Sequence, residues 1–178
     1  MARVPVVGIT AGVPDTGTGD VPTLQSIIAP DPVTGTFTPG AAAHGALDCV
    51  GAAQTFTFDV PSASRLRLTR VQFQIATGTA VATAYNLVLL KADLATPVAD
   101  NGVFSMVVGD RSNYIETIYI PQPVLMAGSA FQSISLYSQN IDFKLTATSI
   151  VAYLVAISAV TFAAVAHEVT LHTYPMGS

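Results

Sequence analysis

A single cysteine, Cys49, leaves the chain without the means for an internal disulfide or a cysteine-built zinc site. Tryptophan is absent, which removes the side chain best suited to stacking on a sugar ring. Charged residues make up only 10%, against about 25% in an average globular domain. So little charge cannot solvate a whole surface. The expectation is a surface that is partly covered by other chains, or rich in Thr, Ser and Gln, or both. Basic residues number 7 against 11 acidic ones, and the net charge of −4 argues against nucleic acid as the main partner, because phosphate binding needs a basic footprint. The one basic cluster is Arg65, Arg67 and Arg70. On a regular strand Arg65 and Arg67 share a face and Arg70 takes the other, so paired surface charges are the expected role.

Long apolar runs are few, and the main one needs a decision. Residues 145–166 are 22 positions without a charge. Thr146, Thr148, Ser149, Ser158 and Thr161 dot the run, Leu is scarce in it, and Lys144 and His167-Glu168 are poor anchors. Two successive strands buried on both faces give the same composition and are expected here instead of a membrane span. The second would end in His167 to Tyr174, where Val169 and Leu171 alternate with Thr170 and His172. Near the N-terminus, Pro5 and Gly8 interrupt the first apolar run, so no secretory leader is expected.

Residues 1–52 differ from the remainder. They hold Pro5, Pro14, Pro22, Pro30, Pro32 and Pro39, over half of the chain's 11 prolines, and lack apolar periodicity apart from Leu24 to Ala29. Such a segment cannot offset an ordering cost of about 1–2 kcal/mol per residue by its own burial. It is expected to be an extended arm lying across neighbouring chains, followed by a β-sandwich over 53–178.

That sandwich announces itself from Gln54, where Phe56, Phe58 and Val60 alternate with Thr55, Thr57 and Asp59. Arg65 to Ala92 reads as an antiparallel hairpin: Val71, Phe73 and Ile75 share one face, Val81, Tyr85, Leu87 and Leu89 another, and 76–80 is a Gly-containing turn. Further strands are expected near 103–108, 114–120, 130–137, 141–146 and 150–157. Eight or nine short strands with regular turn signals predict an all-β, two-sheet antiparallel sandwich of jelly-roll type.

Motifs that carry chemistry are weak. Asp15-Thr16-Gly17 has the aspartic-protease tripeptide but neither its apolar strand context nor a second carboxylate. Gly17-Thr18-Gly19 lacks the third glycine of a dinucleotide loop, with Pro22 in its place, and Asp15 with Asp20 forms no calcium ladder. His167, Glu168 and His172 miss the metalloprotease spacing by one, and on a strand the two imidazoles point to opposite faces. Cys49 reads as a small buried hydrophobe, His44 lies far off in the arm, and no nucleophile elbow or carboxylate pair stands out. No catalytic, cofactor-binding or metal-binding residue, no cofactor and no enzymatic activity is expected.

Tyr85 to Ala92, the segment Pro97 to Phe104 with its Ala99-Asp100-Asn101 core, the Asp110-to-Tyr114 element and Val169-Thr170-Leu171-His172-Thr173 together resemble small head-decoration (cement) proteins of tailed bacteriophages. The resemblance covers about residues 65–174 and leaves the arm out. It implies a jelly-roll virion protein, often a homotrimer, made in the host cytoplasm and fastened to the outer surface of the capsid. Its partners would be the major capsid protein and sister copies, with no nucleic acid, membrane or small-molecule substrate. The rival readings are a tail-tip or spike protein whose sandwich binds a glycan or receptor, an enzyme of unrecognised type, and a shell protein in its own right.

Overall fold

The computed structural model describes residues 31–125 and 130–176. Eleven strands follow one another: β1 (Val33–Phe37), β2 (Ala43–His44), β3 (Gln54–Thr57), β4 (Arg65–Ile75), β5 (Tyr85–Leu90), β6 (Tyr114–Ile120), β7 (Val124–Leu125), β8 (Gln132–Lys144), β9 (Ser149–Ala156), β10 (Val160–Thr161) and β11 (His167–Met176). A short 3₁₀ turn, Val108–Asn113, precedes β6.

Every strand pairing is antiparallel, and the strands sort into a five-stranded sheet, β1-β11-β4-β8-β7, and a four-stranded sheet, β3-β9-β5-β6; β2 and β10 form a small pair apart. With β2, β7 and β10 set aside, the eight remaining strands read 1-8-3-6 in one sheet and 2-7-4-5 in the other. That order is the jelly roll: chain-order neighbours cross from sheet to sheet except β5 and β6, which pair within one sheet, and the first and last described strands, β1 and β11, lie side by side. The expected fold class is what the topology shows.

The order also corrects the expected hairpin. β4 and β5 lie in different sheets, and 76–84 is the crossover between them rather than a turn joining paired strands. β5 begins at Tyr85, so Val81 precedes it in the crossover. Two further expectations change. Val103 makes only an isolated bridge to Asp48, and no strand runs over 103–108. The strands expected at 130–137 and 141–146 are one strand, β8, interrupted where Ser138, Gln139 and Asn140 have no partner on β4; Ser138 and Asn140 take positive φ there.

Between the sheets lies the main core. Leu66, Leu68, Val71, Phe73 and Ile75 of β4 and Val169 and Leu171 of β11 face Tyr85, Leu87 and Leu89 of β5 and Ile150, Ala152 and Leu154 of β9. Each large apolar side chain buried there contributes roughly 1.5–3 kcal/mol. The other face of β5 and β9 is buried as well. Val88, Leu90, Tyr153 and Val155 are covered by Cys49, Leu94 and the partly buried Val98 and Phe104, so the loops form a third layer. Burial on both faces explains the uncharged run 145–166, which folds as β9, β10 and their connections. No helix among the described residues is long and apolar enough to cross a membrane.

Part of the segment expected to be an extended arm, residues 1–52, belongs to the sandwich instead. β1 is an edge strand of the sandwich, paired from Val33↔Leu171 to Phe37↔His167, and Phe37 is fully buried. Residues 47–50 run along β9 ahead of β3, with the Leu47 amide donating to the Ala156 carbonyl (2.8 Å) and the Val50 amide to Leu154 (2.8 Å). Only residues 1–30 of the expected arm remain as a candidate, and these lie outside the described residues.

Asp100 clamps this segment to the loop layer. Its carboxylate accepts from the Gly40 amide (2.7 Å), the Gly51 amide (2.7 Å) and His44 Nε2 (3.0 Å). With its side-chain amide turned so that the nitrogen meets two acceptors, Asn101 donates to Asp48 Oδ2 (3.1 Å) and the Ala43 carbonyl (3.2 Å). Gly51 holds φ +73°, and a Cβ there would stand 2.7 Å from the Thr38 backbone nitrogen. Gly51→Ala is therefore expected to cost about 2 kcal/mol, from the left-handed backbone and the crowding together. Urea unfolding of the variant beside the parent checks this, and a difference below about 0.5 kcal/mol would mean that the turn relaxes freely.

Candidate interaction face

The outer face of the five-stranded sheet is a broad polar surface that the described residues leave uncovered, and β4 writes most of it. In Arg65-Leu66-Arg67-Leu68-Thr69-Arg70-Val71-Gln72-Phe73-Gln74-Ile75 the buried positions are 66, 68, 71, 73 and 75. The parity changes at Thr69, an extra residue with no partner on β8 or β11. This is a β-bulge, which re-aims every residue after it. Its hydroxyl donates to the His172 carbonyl (3.0 Å).

The bulge corrects the expectation for the arginines. Arg70 stands on the same outward face as Arg65 and Arg67. Across the strands the face is built in rows: Met176–Arg65–Lys144, then Tyr174–Arg67–Asp142, then His172–Arg70–Tyr137. Beyond them the rows carry less charge, Thr170–Gln72–Ser135 and Glu168–Gln74–Ser133, with Thr34 and Thr36 of β1 continuing them.

Arg67 meets Asp142 in a two-pronged ion pair, Nε to Oδ1 at 2.6 Å and a terminal nitrogen to Oδ2 at 2.9 Å. That bond, and then the charge of Arg67, hold the Asp142 carboxyl below its usual range. The pair is open to solvent and screened by it, so it is a weak contributor to stability. Arg70 lies over the Tyr137 ring, 5.0 Å from its centre, and donates to Gln72 Oε1 (3.2 Å) and Ser135 Oγ (3.1 Å). Its Nε, and Nε2 of His172 beside it, are buried without a hydrogen-bond partner. Burial, and then the charge of Arg70, lower the pKa of His172. Tyr137 and Tyr174 expose 65% and 49% of their surface, so aromatic edges rise at both sides of the arginine row.

The other residues singled out in the sequence fall as follows. Asp15, Gly17, Gly19, Asp20 and Pro22 lie outside the described residues. His167 points into the core and His172 outward, on opposite faces of β11, and Glu168 is exposed with the outward set. Cys49 is fully buried, and burial, then Asp48 and Asp100, push its thiol up to about 12, so it stays protonated. His44, remote in sequence, is brought to Asp100 and packs edge-on against Phe162. Among the described residues no three His, Cys, Asp or Glu are grouped to hold a metal ion.

Sequence reasoning missed the shared face of the arginines, although a signal exists. The apolar spacing 66, 68, 71, 73, 75 breaks alternation once, and one extra residue is the simplest repair. The Asp100 clamp had no comparable signal beyond an Asp-Asn-Gly loop. Neither a protein-family model nor a curated protein sequence matches the chain.

Proposed function

We propose that the chain is a structural virion protein, a decoration protein that binds the outer surface of a bacteriophage head shell through its sandwich and the arm of residues 1–30. The observation that supports this reading most is the outer face of the five-stranded sheet, where Arg65, Arg67, Arg70 and Lys144 stand in adjacent rows with the exposed Tyr137 and Tyr174 beside them. Such a surface suits contact with another protein better than turnover of a small molecule. The major capsid protein and sister copies are the proposed partners. Repeated contacts over a symmetric shell would then add as avidity, because each further contact is made at high effective concentration.

The test uses shells that lack this chain. Deleting residues 1–30 leaves β1 intact, and the truncated chain is expected to bind such shells at least ~10-fold more weakly than the full chain and to stabilise them less against heat. Equal binding would remove the arm from the reading, and failure of the full chain to bind would remove the reading itself. The exposed Tyr137 and Tyr174 favour one second reading, a glycan-binding tail-tip protein. Copy number per particle separates the two, hundreds against a few dozen at most.

A further inference from the structure

We infer that the part of the outer face carrying Arg65, Arg67, Arg70 and Lys144 docks a carboxylate-bearing segment of a partner protein. This deepens the decoration reading by naming the partner's chemistry, and rests on that reading only for the partner being a protein.

The charge arrangement carries the argument. Arg65 and Lys144 stand directly opposite each other on β4 and β8, a like-charged cross-strand pair that destabilises an isolated sheet. Arg67 is already committed to Asp142, the one carboxylate in these three rows. Glu168 is four residues along β11 from His172, about 13 Å and beyond a Debye length at ordinary salt. Four cations against one carboxylate make a local +3 in a chain of net −4, which leaves −7 elsewhere. An incoming carboxylate between Arg65 and Lys144 would relieve their repulsion. A second one above Arg70 would find the guanidinium already fixed by Tyr137, Gln72 and Ser135, so little side-chain entropy remains to be lost.

The same numbers decide against a nucleic acid. Polyanion binding gains from many phosphate contacts, whereas this face offers three uncommitted cations in a chain of net −4. A short acidic protein segment places its carboxylates locally, with Tyr137 and Tyr174 offering apolar and hydroxyl contacts at its sides.

The experiment is an NMR titration of the ¹⁵N-labelled full chain with three probes: an acetylated tetraglutamate peptide, a tetraserine peptide and a short thymidine oligonucleotide. Tetraglutamate is expected to shift amides around Arg65, Arg70 and Lys144 saturably, with binding weakened ~10-fold between about 50 and 300 mM salt. Tetraserine should shift nothing. The exposed pair Arg65→Glu with Lys144→Glu should lose the response while the core amides keep their positions, and Arg65→Gln with Lys144→Gln serves if the reversal disturbs the fold. No saturable binding, shifts mapped elsewhere, or tighter binding of the oligonucleotide would overturn the inference. If tetraglutamate fails while the chain still binds shells, this inference falls alone. If tetraglutamate binds at this face and shells are ignored, the decoration reading falls and the carboxylate site stands.

Discussion

Replacing Asp100 with alanine is expected to lower the free energy of unfolding by about 3 kcal/mol, far more than an ordinary loop substitution. Three donors lose their acceptor at once: the Gly40 and Gly51 amides and His44 Nε2. Gly40 lies at the surface and finds water. Gly51 and His44 are buried, and a buried donor left unpaired costs roughly 1–3 kcal/mol. Their loss should also free the loop layer over Tyr153 and Val155, since the Cys49 amide bonds to the Gly102 carbonyl (2.8 Å) and the Asn101 amide to Cys49 (2.9 Å) in the same clamp. Burial by itself would raise the Asp100 pKa, but the His44 bond and the two amides outweigh it, so the net change is downward. A lowered carboxylate pKa stabilises the fold above the unfolded value near 3.8 and ceases to do so as pH falls through the lower folded value. Urea unfolding of the Asp100→Ala and Asp100→Asn variants at neutral pH measures the effect. Asparagine should recover part of the loss because its carbonyl still accepts. A loss under about 1 kcal/mol for alanine would mean that the clamp is not what fastens residues 40–51.

The motifs that carried the resemblance turn out to be packing devices. Asp100 clamps, Asn101 adopts φ +60° and bridges to Asp48, and Phe104 lies against the Tyr153 ring at 5.4 Å between centres. Asp110 is buried, and its carboxylate accepts from the Ala95 amide (3.0 Å). A sequence displays such residues plainly, yet it does not say what they hold. The same limit governs the strands. Alternation in β4, β5, β6, β9 and β11 was legible because a half-buried strand must alternate or be apolar throughout. Which strand pairs with which was not, since a Gly-containing link at 76–80 reads alike whether it joins partners or crosses between sheets. β1 was hidden for another reason. Val33-Thr34-Gly35-Thr36-Phe37 sits among Pro30, Pro32 and Pro39, and only an edge strand tolerates such company. Gly35 is needed there because a Cβ would meet the Phe56 ring at 2.6 Å. Of the candidate face, the three arginines were visible from their spacing. Their common side and the opposition of Arg65 to Lys144 depend on the bulge at Thr69 and on β8, which local periodicity cannot supply.

Acid is expected to weaken the fold in a window set by His167, well before the carboxylates dominate. The side chain is fully buried between the sheets, with Nδ1 3.0 Å from the Val165 carbonyl and Nε2 3.3 Å from the Tyr85 hydroxyl. A neutral ring satisfies both, Nδ1–H donating to Val165 and Nε2 accepting from Tyr85. Protonation would aim a second N–H at the phenol and leave a charge among Phe73, Tyr85 and Phe162. Burial therefore lowers the pKa to about 4, the Val165 bond opposing it and the nearby His44 adding to it. Below about 6.5 the unfolded chain takes up a proton that the folded chain refuses, so stability falls as pH drops from there to about 4 and then levels off. Each tenfold difference in proton affinity between the two states is worth about 1.4 kcal/mol, so the loss across the window is about 3 kcal/mol. The decisive quantity is the difference between the parent chain and His167→Gln, in which every other ionisable group remains. Glutamine can still donate to Val165 or accept from Tyr85, and its stability should be the flatter function of pH between about 6.5 and 4. Denaturant unfolding at half-unit pH intervals provides the comparison. Parallel curves would place a proton on the folded His167, and the core arrangement around Tyr85 would then have to accommodate a cation.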